Sequence, residues 1–386
     1  MLKEGTLDMV VDVAIIGGGV HGCSIAYHLA EKGVRCALFE RGYLSSGASG
    51  RSAAGARHQF GTEVNCRLAI YNLEHLASLK EELDPPFPLE FEQSGYLWIT
   101  YSEAQLRQLE KNVSLQNSLG IPSSILSPEE VKEVAPAIDV RSMLGASWCP
   151  KDGHVNPHTL TFAYAHAAKR LGVEIHAETP VTGLLHWKDR VSGVRTAIGD
   201  CHAEAVICAA GPWSAHIASW VGLDVPITPE RHQLMVTEPV ERIRHPFVLC
   251  MDDGSYWKQC PNGTFILGWG NPLDIKEISD ESSWEFLHEA SKRVLSKMPS
   301  LAGVRVVRQW AGTYDVTPDS QAVVGATPVE GFFLDCGWSG HGLQFAPSIG
   351  RIMAEIVCGE EPFIDVSPFR YSRFEEGDLF FEPACI

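Results

Sequence analysis

The chain reads as α/β, α+β overall: a doubly wound, Rossmann-like unit interleaved with an antiparallel β-sheet. Three observations predict this. Residues 10–40 run apolar strand, glycine turn, helix, apolar strand, acid. A second strand, glycine turn and helix closes the chain between Phe332 and Cys358. Between them, residues 226–312 alternate apolar and polar with turn signals at Asp253-Gly254 and Asn262-Gly263, the pattern of an antiparallel sheet.

The opening unit is the most specific. Val10 to Ile16 precedes Gly17-Gly-Gly-Val20-His21-Gly22, and Val34 to Phe39 ends at Glu40. Gly17 permits a tight turn, Gly19 lets backbone approach a pyrophosphate, and Gly22 lets helix and strand pack closely. The helix start offers free N–H groups and a positive dipole end to phosphates. Glu40 lies 18 residues beyond Gly22, where an acid reaches an adenosine ribose. An acid there disfavours a 2′-phosphate, which argues against NADP and leaves FAD and NAD open.

The elements follow in order. Residues 43–60, rich in Gly, Ser and Ala, read as a loop returning to the glycine turn. Asn65 to Glu82 is amphipathic and helical, broken by Asp84-Pro-Pro-Phe-Pro. Gly95 to Tyr101 is a strand, and Ser102 caps a helix to Leu119. Ser127-Pro-Glu-Glu starts another helix, and Asn156 opens a long one stopped by Gly172. Strands follow at 173–177, 191–197 and 201–209, the last ending at Ala209-Ala210-Gly211-Pro-Trp213. A helix is expected over Ser282 to Met298, and the final helix over Pro347 to Cys358. The expected division is a cofactor domain of residues 1–85, 147–225 and 313–375, a substrate domain of 86–146 and 226–312, and a tail of 376–386.

Composition narrows the function classes. Of 386 residues, 45% are hydrophobic and 20% charged, which is ordinary globular usage. A formal net charge of −17 repels nucleic acid and anionic membrane surfaces. No apolar run reaches the roughly 18 residues of a membrane span, and no secretory signal is seen, so a cytoplasmic location is expected. Eleven scattered cysteines form no CxxC pair and read as reduced thiols, with no metal site expected.

Two later segments turn the dinucleotide toward FAD. One is the strand ending Ala209-Ala210-Gly211, where small residues let a dinucleotide approach. The other is Arg308 to Asp319, containing Tyr314-Asp-Val-Thr-Pro-Asp, followed by Gly337-Trp-Ser-Gly340-His341-Gly342-Leu343-Gln344. With these in place the chain resembles the D-amino-acid oxidase–like superfamily of FAD-dependent amine oxidoreductases, over roughly residues 10–370. Within it, the likeness is to glycine and sarcosine oxidases and to β subunits of dye-linked proline dehydrogenases.

The resemblance implies extended FAD. Gly17, Gly19, Val20, His21 and Gly22 would face the pyrophosphate, and Glu40 with Arg41 the adenosine ribose. Ser49, Ser52, Ala53, Ala54 and Gly55 would line the phosphate and flavin path. Val181 would contact adenine, with Ala210, Gly211 and Trp213 beside the dinucleotide. Gly340, His341, Gly342, Leu343 and Gln344 would lie against the isoalloxazine, where helix-start N–H groups stabilise the reduced flavin.

The resemblance also implies oxidation of a small amino acid or N-substituted amino acid, such as glycine, sarcosine, proline or an opine. A hydride would pass to flavin N5, giving an imine that hydrolyses. Such a site needs a carboxylate clamp, and a bidentate cation suits it best. Arg57 matches a carboxylate-binding arginine of sarcosine oxidases; the plainer alternatives are an ion pair with Glu63 or a flavin phosphate. Tyr256 matches a carboxylate-binding tyrosine of glycine oxidases. Tyr314 sits where relatives carry a tyrosine or an arginine. His341 is read as a flavin neighbour, and Lys258 as a solvated strand lysine. Gln344 replaces a lysine of sarcosine oxidases, which weakens the case for sarcosine. Gly312 stands where some members carry a flavin-linking cysteine, so non-covalent FAD is expected. Partner subunits that accept electrons are expected from the β-subunit likeness. The remaining alternative readings are a non-catalytic or electron-relaying subunit, or assembly factor, of a larger complex, and an NAD-dependent dehydrogenase.

Overall fold

The computed structural model describes residues 7–89 and 91–383. Cys385 and the last residues of the expected tail lie outside them.

The first sheet is built on five parallel strands in the order Glu174–His176, Cys36–Phe39, Leu7–Ile16, Gly199–Cys208 and Phe332–Cys336. Strand Cys36–Phe39 is buried at every position, as expected of a parallel strand covered on both faces. Gly199–Cys208 is long enough to serve two neighbours. Its start pairs antiparallel with Arg190–Thr196, which continues to Val181–Trp187, and its end pairs parallel with Phe332–Cys336. Val323–Ala326 closes the far edge antiparallel.

Four helices pack into one core cluster with this sheet: Val20–Glu31, Glu63–Leu83, Pro157–Arg170 and Ala346–Val357. Gly350 allows the closest approach, since a Cβ there would fall 2.1 Å from Ser24 Oγ. The helix expected from Asn65 begins two residues earlier, at Glu63, and the starts expected at Ser102, Ser127 and Asn156 hold, with one difference in capping. The Asn156 side chain accepts from the backbone of His158 and Thr159, and Ser127 forms a full capping box with Glu130. Ser102 occupies its cap position without a side-chain bond to the helix, while its backbone N–H donates to Thr100 Oγ1.

The second sheet has eight strands: Val306–Val316, Thr228–Thr237, Phe265–Trp269, Ser255–Gln259, Phe247–Cys250, Tyr96–Thr100, Gly145–Cys149 and Ser124–Leu126. It is antiparallel except at one joint, where Phe247–Cys250 runs parallel to Tyr96–Thr100. That joint links two segments far apart in the chain, so no hairpin constrains its direction. A three-stranded ribbon, Gly55–Ala56, Gly153–Val155 and Phe91–Glu92, lies at the loop read as irregular. That loop also carries a short helix, Ala48–Arg51.

The Tyr314-Asp-Val-Thr-Pro-Asp segment is a structural hinge pin as well as a motif. The Asp319 carboxylate takes a two-pronged bond from the fully buried Arg373, at 2.9 and 3.0 Å, which ties the C-terminal turn to the fold. Beyond it the chain returns to the start of helix Glu63–Leu83. The Glu382 carboxylate accepts from Gly61 N–H (2.7 Å), Thr62 Oγ1 (2.7 Å) and Asn65 Nδ2 (2.8 Å). Thr62 holds the N-cap position without bonding the helix through its side chain, so Glu382 supplies the negative group there. Glu382→Ala removes the shared acceptor of three donors, that of the buried Asn65 among them, and is expected to cost about 1–3 kcal/mol of stability. A chemical-denaturation midpoint equal to that of the parent chain would show that the tail holds nothing.

The ten described cysteines are all free. Among the described residues, no helix is long and apolar enough to cross a membrane.

Candidate active site

The two glycine turns meet in one cleft along the C-terminal ends of the parallel strands. Strand Leu7–Ile16 delivers Gly17, whose N–H bonds the Phe39 carbonyl at 2.9 Å. Gly22 cannot carry a side chain: its Cβ would stand 1.9 Å from the Gly17 carbonyl oxygen. Helix Val20–Glu31 then begins at Gly19 with no side-chain cap and no acid in its first turn. A helix start whose cap residue brings no side chain, opening on a cleft, fits an anionic ligand, and a dinucleotide pyrophosphate is such a group. Glu40, buried at the end of its strand, accepts from Gly18 N–H and Gly42 N–H, both at 2.7 Å, and so shapes the turn. Ser49 Oγ accepts from Val20 N–H at 3.1 Å.

The cleft runs from Val181, Glu40 and Arg41, past Gly17, Gly19, Val20, His21, Ser49, Ala210 and Gly211, to Gly340, Gly342 and Leu343. The Arg41 guanidinium carbon lies over the Trp213 ring, 3.6 Å from its centroid. The flavin-side loop is tightly wound. Gly340 sits at φ +88°, and a Cβ there would fall 2.0 Å from the Tyr314 ring. The loop is anchored by Asp315, which accepts from Gly337 N–H at 2.7 Å. Burial pushes the Asp315 carboxyl up to about 6.

A second cavity adjoins the first. Ala53, Ala54, Gly55, Arg57, Tyr256, His341 and Gln344 line it, and Ser52, Tyr314, Gly340 and Leu343 line both. The sequence-predicted residues thus converge from segments spread between residues 17 and 344, with Gly22 beneath the turn rather than on a cavity wall. The Arg57 guanidinium lies 3.9 Å from the Phe60 ring centroid and 4.8 Å from that of Trp98, and Nη1 donates to the Gln59 carbonyl. Glu63 pairs with Arg67, not with Arg57. Gln344 spends both ends of its amide on the Arg57 backbone: Oε1 accepts from Arg57 N–H (2.7 Å), and Nε2 donates to Arg57 O (3.0 Å). It thereby fixes the loop that carries the arginine.

That loop has a second support. Asp152 accepts from His58 N–H (2.8 Å), His58 Nδ1 (2.6 Å) and Gln59 Nε2 (3.1 Å). His58, Cys149 and Asp152 are the one grouping of metal-ligating types found among the described residues, and two of its members, His58 and Asp152, are hydrogen-bonded to each other.

Tyr256 is fully inside, in space left by Gly268 opposite it in register, where a Cβ would fall 2.2 Å from the ring. Burial keeps its phenol protonated, and the neighbouring Tyr314 side chain adds to that. Sequence reasoning passed over Tyr96, Trp98, His232, Phe247 and Leu249, which complete the cavity. The period-two alternation of Tyr96-Leu-Trp98-Ile was the available signal: Tyr96 and Trp98 face one way, while Leu97 and Ile99 join another cluster. His232 stacks on Tyr314 with ring centroids 3.7 Å apart. Burial pulls His232 down to about 4 and His341 to about 3, the latter aided by Arg57. Both rings are therefore neutral at neutral pH. Lys258 corrects the expectation of a solvated residue: only 3% of it is exposed, and burial lowers its ammonium to about 8.

Comparisons agree with this geometry. The chain is 29% identical to the sarcosine oxidase subunit beta of Arthrobacter sp over 379 residues, covering 96% of this chain and 93% of that one. It is 30% identical to the sarcosine oxidase subunit beta of Rhodobacter capsulatus, covering 96% and 90%. Among solved structures, L-proline dehydrogenase from P. horikoshii superposes with a TM-score of 0.92 at 32% identity, over 97% of this chain and all of that one. Glycine oxidase from Geobacillus kaustophilus gives 0.87 at 25%, over 95% and 99%. The profile described as FAD dependent oxidoreductase (DAO) matches residues 12–356, and with the glycine turn and flavin-side loop sharing one cleft, the chain belongs to that family.

Proposed function

We propose that this enzyme oxidises a small amino acid or N-substituted amino acid bearing a free carboxylate. One observation carries the reading: Arg57 and Tyr256 line a largely aromatic cavity that shares Tyr314, Gly340 and Leu343 with the FAD cleft. Bound FAD supplies the two-electron acceptor. Arg57 holds the substrate carboxylate through its planar fork, which lies against the Phe60 and Trp98 rings. Tyr256 contributes a hydroxyl donor to the same carboxylate, with Tyr314 beside it. His341 and His232, neutral by burial, leave Arg57 as the cation of the cavity wall. The apolar walls of Tyr96, Trp98 and Phe247 exclude water and favour a neutral amine over an ammonium. The substrate C–H bond would then break with its electron pair passing as hydride to that acceptor, while the nitrogen lone pair closes C=N. An N–H proton would leave to solvent, and water would split the resulting imine into a carbonyl compound and an amine or ammonia.

The same reading has FAD bound without a covalent link, since the glycine at position 312 brings no side chain to form one. It also has the chain working with partner subunits, as the beta-subunit relatives suggest.

Anaerobic mixing of the holoprotein with glycine, sarcosine, D- and L-proline and opines tests the reading. Bleaching of the flavin by at least one of them is expected, and admission of air against an added dye then separates oxidase from dehydrogenase. If none bleaches the flavin while dithionite does, the electron-relaying or assembly-subunit reading takes its place.

A further inference from the structure

His21 belongs to the opening glycine turn, yet its ring reaches residues more than 300 positions later. Nδ1 lies 2.8 Å from Asp335 Oδ2, and Nε2 lies 2.8 Å from the Gly342 carbonyl oxygen. A carbonyl oxygen only accepts, so Nε2 carries a proton. A carboxylate also only accepts, so beside ionised Asp335 the Nδ1 carries one too. A neutral imidazole has a single N–H. The arrangement therefore holds one proton more than a neutral histidine next to a carboxylate. Asp335 Oδ1 accepts in turn from Trp338 Nε1 at 2.8 Å, and the Trp338 ring packs 4.8 Å from His21.

The surroundings favour that proton. The titratable groups acting on the ring are both acids, Asp335 from strand Phe332–Cys336 and Asp315 from strand Val306–Val316. The 337–343 loop faces it with Trp338 and the Gly342 carbonyl, neither of which titrates. His21 and Asp335 both line the FAD cleft.

We propose that His21 and Asp335 form a proton-dependent clip that joins the dinucleotide turn to the flavin-side loop and makes FAD retention depend on pH. With the proton in place, both halves of the cleft are tied and the Asp335 charge is balanced. Without it, one of the two hydrogen bonds is lost. A bare carboxylate then remains in a cleft that must also accept a pyrophosphate. His21 is thus a positioning residue for the cofactor, whatever the substrate.

Burial opposes the imidazolium, but the Asp335 charge, the hydrogen bonds to Asp335 and Gly342, and Asp315 outweigh it, so His21 titrates above its ordinary value of 6.5. A raised folded pKa means the clip contributes in full below the unfolded value and is lost as pH rises through the folded one.

The test follows FAD release from the holoprotein by recovery of free-flavin fluorescence on dilution, from about pH 6 to pH 10. The parent chain is expected to lose FAD affinity as pH rises across the range, with one inflection, each unit by which bound FAD raises the His21 pKa being worth a factor of ten. H21Q is expected to bind FAD more weakly and with a flat profile. D335N removes the carboxylate, and is expected to flatten the profile while keeping FAD at high pH; it carries the test if H21Q does not fold. A pH-independent affinity in the parent chain, or an unaltered inflection in D335N, overturns the proposal.

Discussion

Arg57→Ala is expected to raise the KM for a carboxylate-bearing amine by about 10²–10³-fold while FAD stays bound. Losing one partner of a buried, hydrogen-bonded charge pair costs about 2–5 kcal/mol, and each 1.4 kcal/mol is tenfold. The arginine lies on the cavity wall beyond the shared Tyr314 and Gly340, so the cofactor cleft is untouched by its removal. Arg57→Lys is expected to recover only part of the loss. Lysine is a point charge without the planar fork, and it brings no planar group to lie against Phe60 and Trp98. Stopped-flow reduction separates the terms: the apparent substrate dissociation constant should move far more than the limiting reduction rate. An unchanged constant with an intact flavin spectrum would remove Arg57 from the substrate site.

Gly22→Ala is expected to yield a colourless, destabilised protein. The added methyl would lie 1.9 Å from the Gly17 carbonyl oxygen, a backbone atom that no rotamer change can move. Relief requires the helix start to lift off the turn. Overpacking of this kind costs about 1–3 kcal/mol. The displaced N–H groups are the ones offered to the pyrophosphate, so FAD should be lost as well. Absorbance of the purified protein and a thermal melt check both effects. Full flavin content with the parent melting temperature would show that the turn tolerates a side chain and that its tightness is not what holds the cofactor.

Much of the fold was legible because its defining units are local. Strand, glycine turn and helix fall within about thirty residues at the start, and again after Phe332. The alternation and turns of residues 226–312 marked the second sheet. What escaped depended on distant partners. The parallel joint between Phe247–Cys250 and Tyr96–Thr100 leaves no trace in either segment. Lys258 reads as an ordinary strand lysine, and only the neighbouring strands bury it. Gln344 could be aligned as a replaced lysine, but not seen to grip the Arg57 backbone. The aromatic walls at Tyr96 and Trp98 were visible as a strand, yet nothing local says which of its faces borders a cavity.

By itself, then, the sequence determined the two glycine turns, the acid at Glu40, the choice of a dinucleotide without a 2′-phosphate, and, through its motif combination, the FAD family. These follow from backbone geometry and charge within short spans, where spacing is meaning. The tertiary structure alone decided that His21 meets Asp335, that Gln344 and Asp152 fix the Arg57 loop, and that Glu382 holds the start of a helix. Each of these pairs joins residues brought together only by sheet order and helix packing. Burial there turns ordinary polar side chains into fixed partners, because an unpaired polar group inside the protein is too costly to leave.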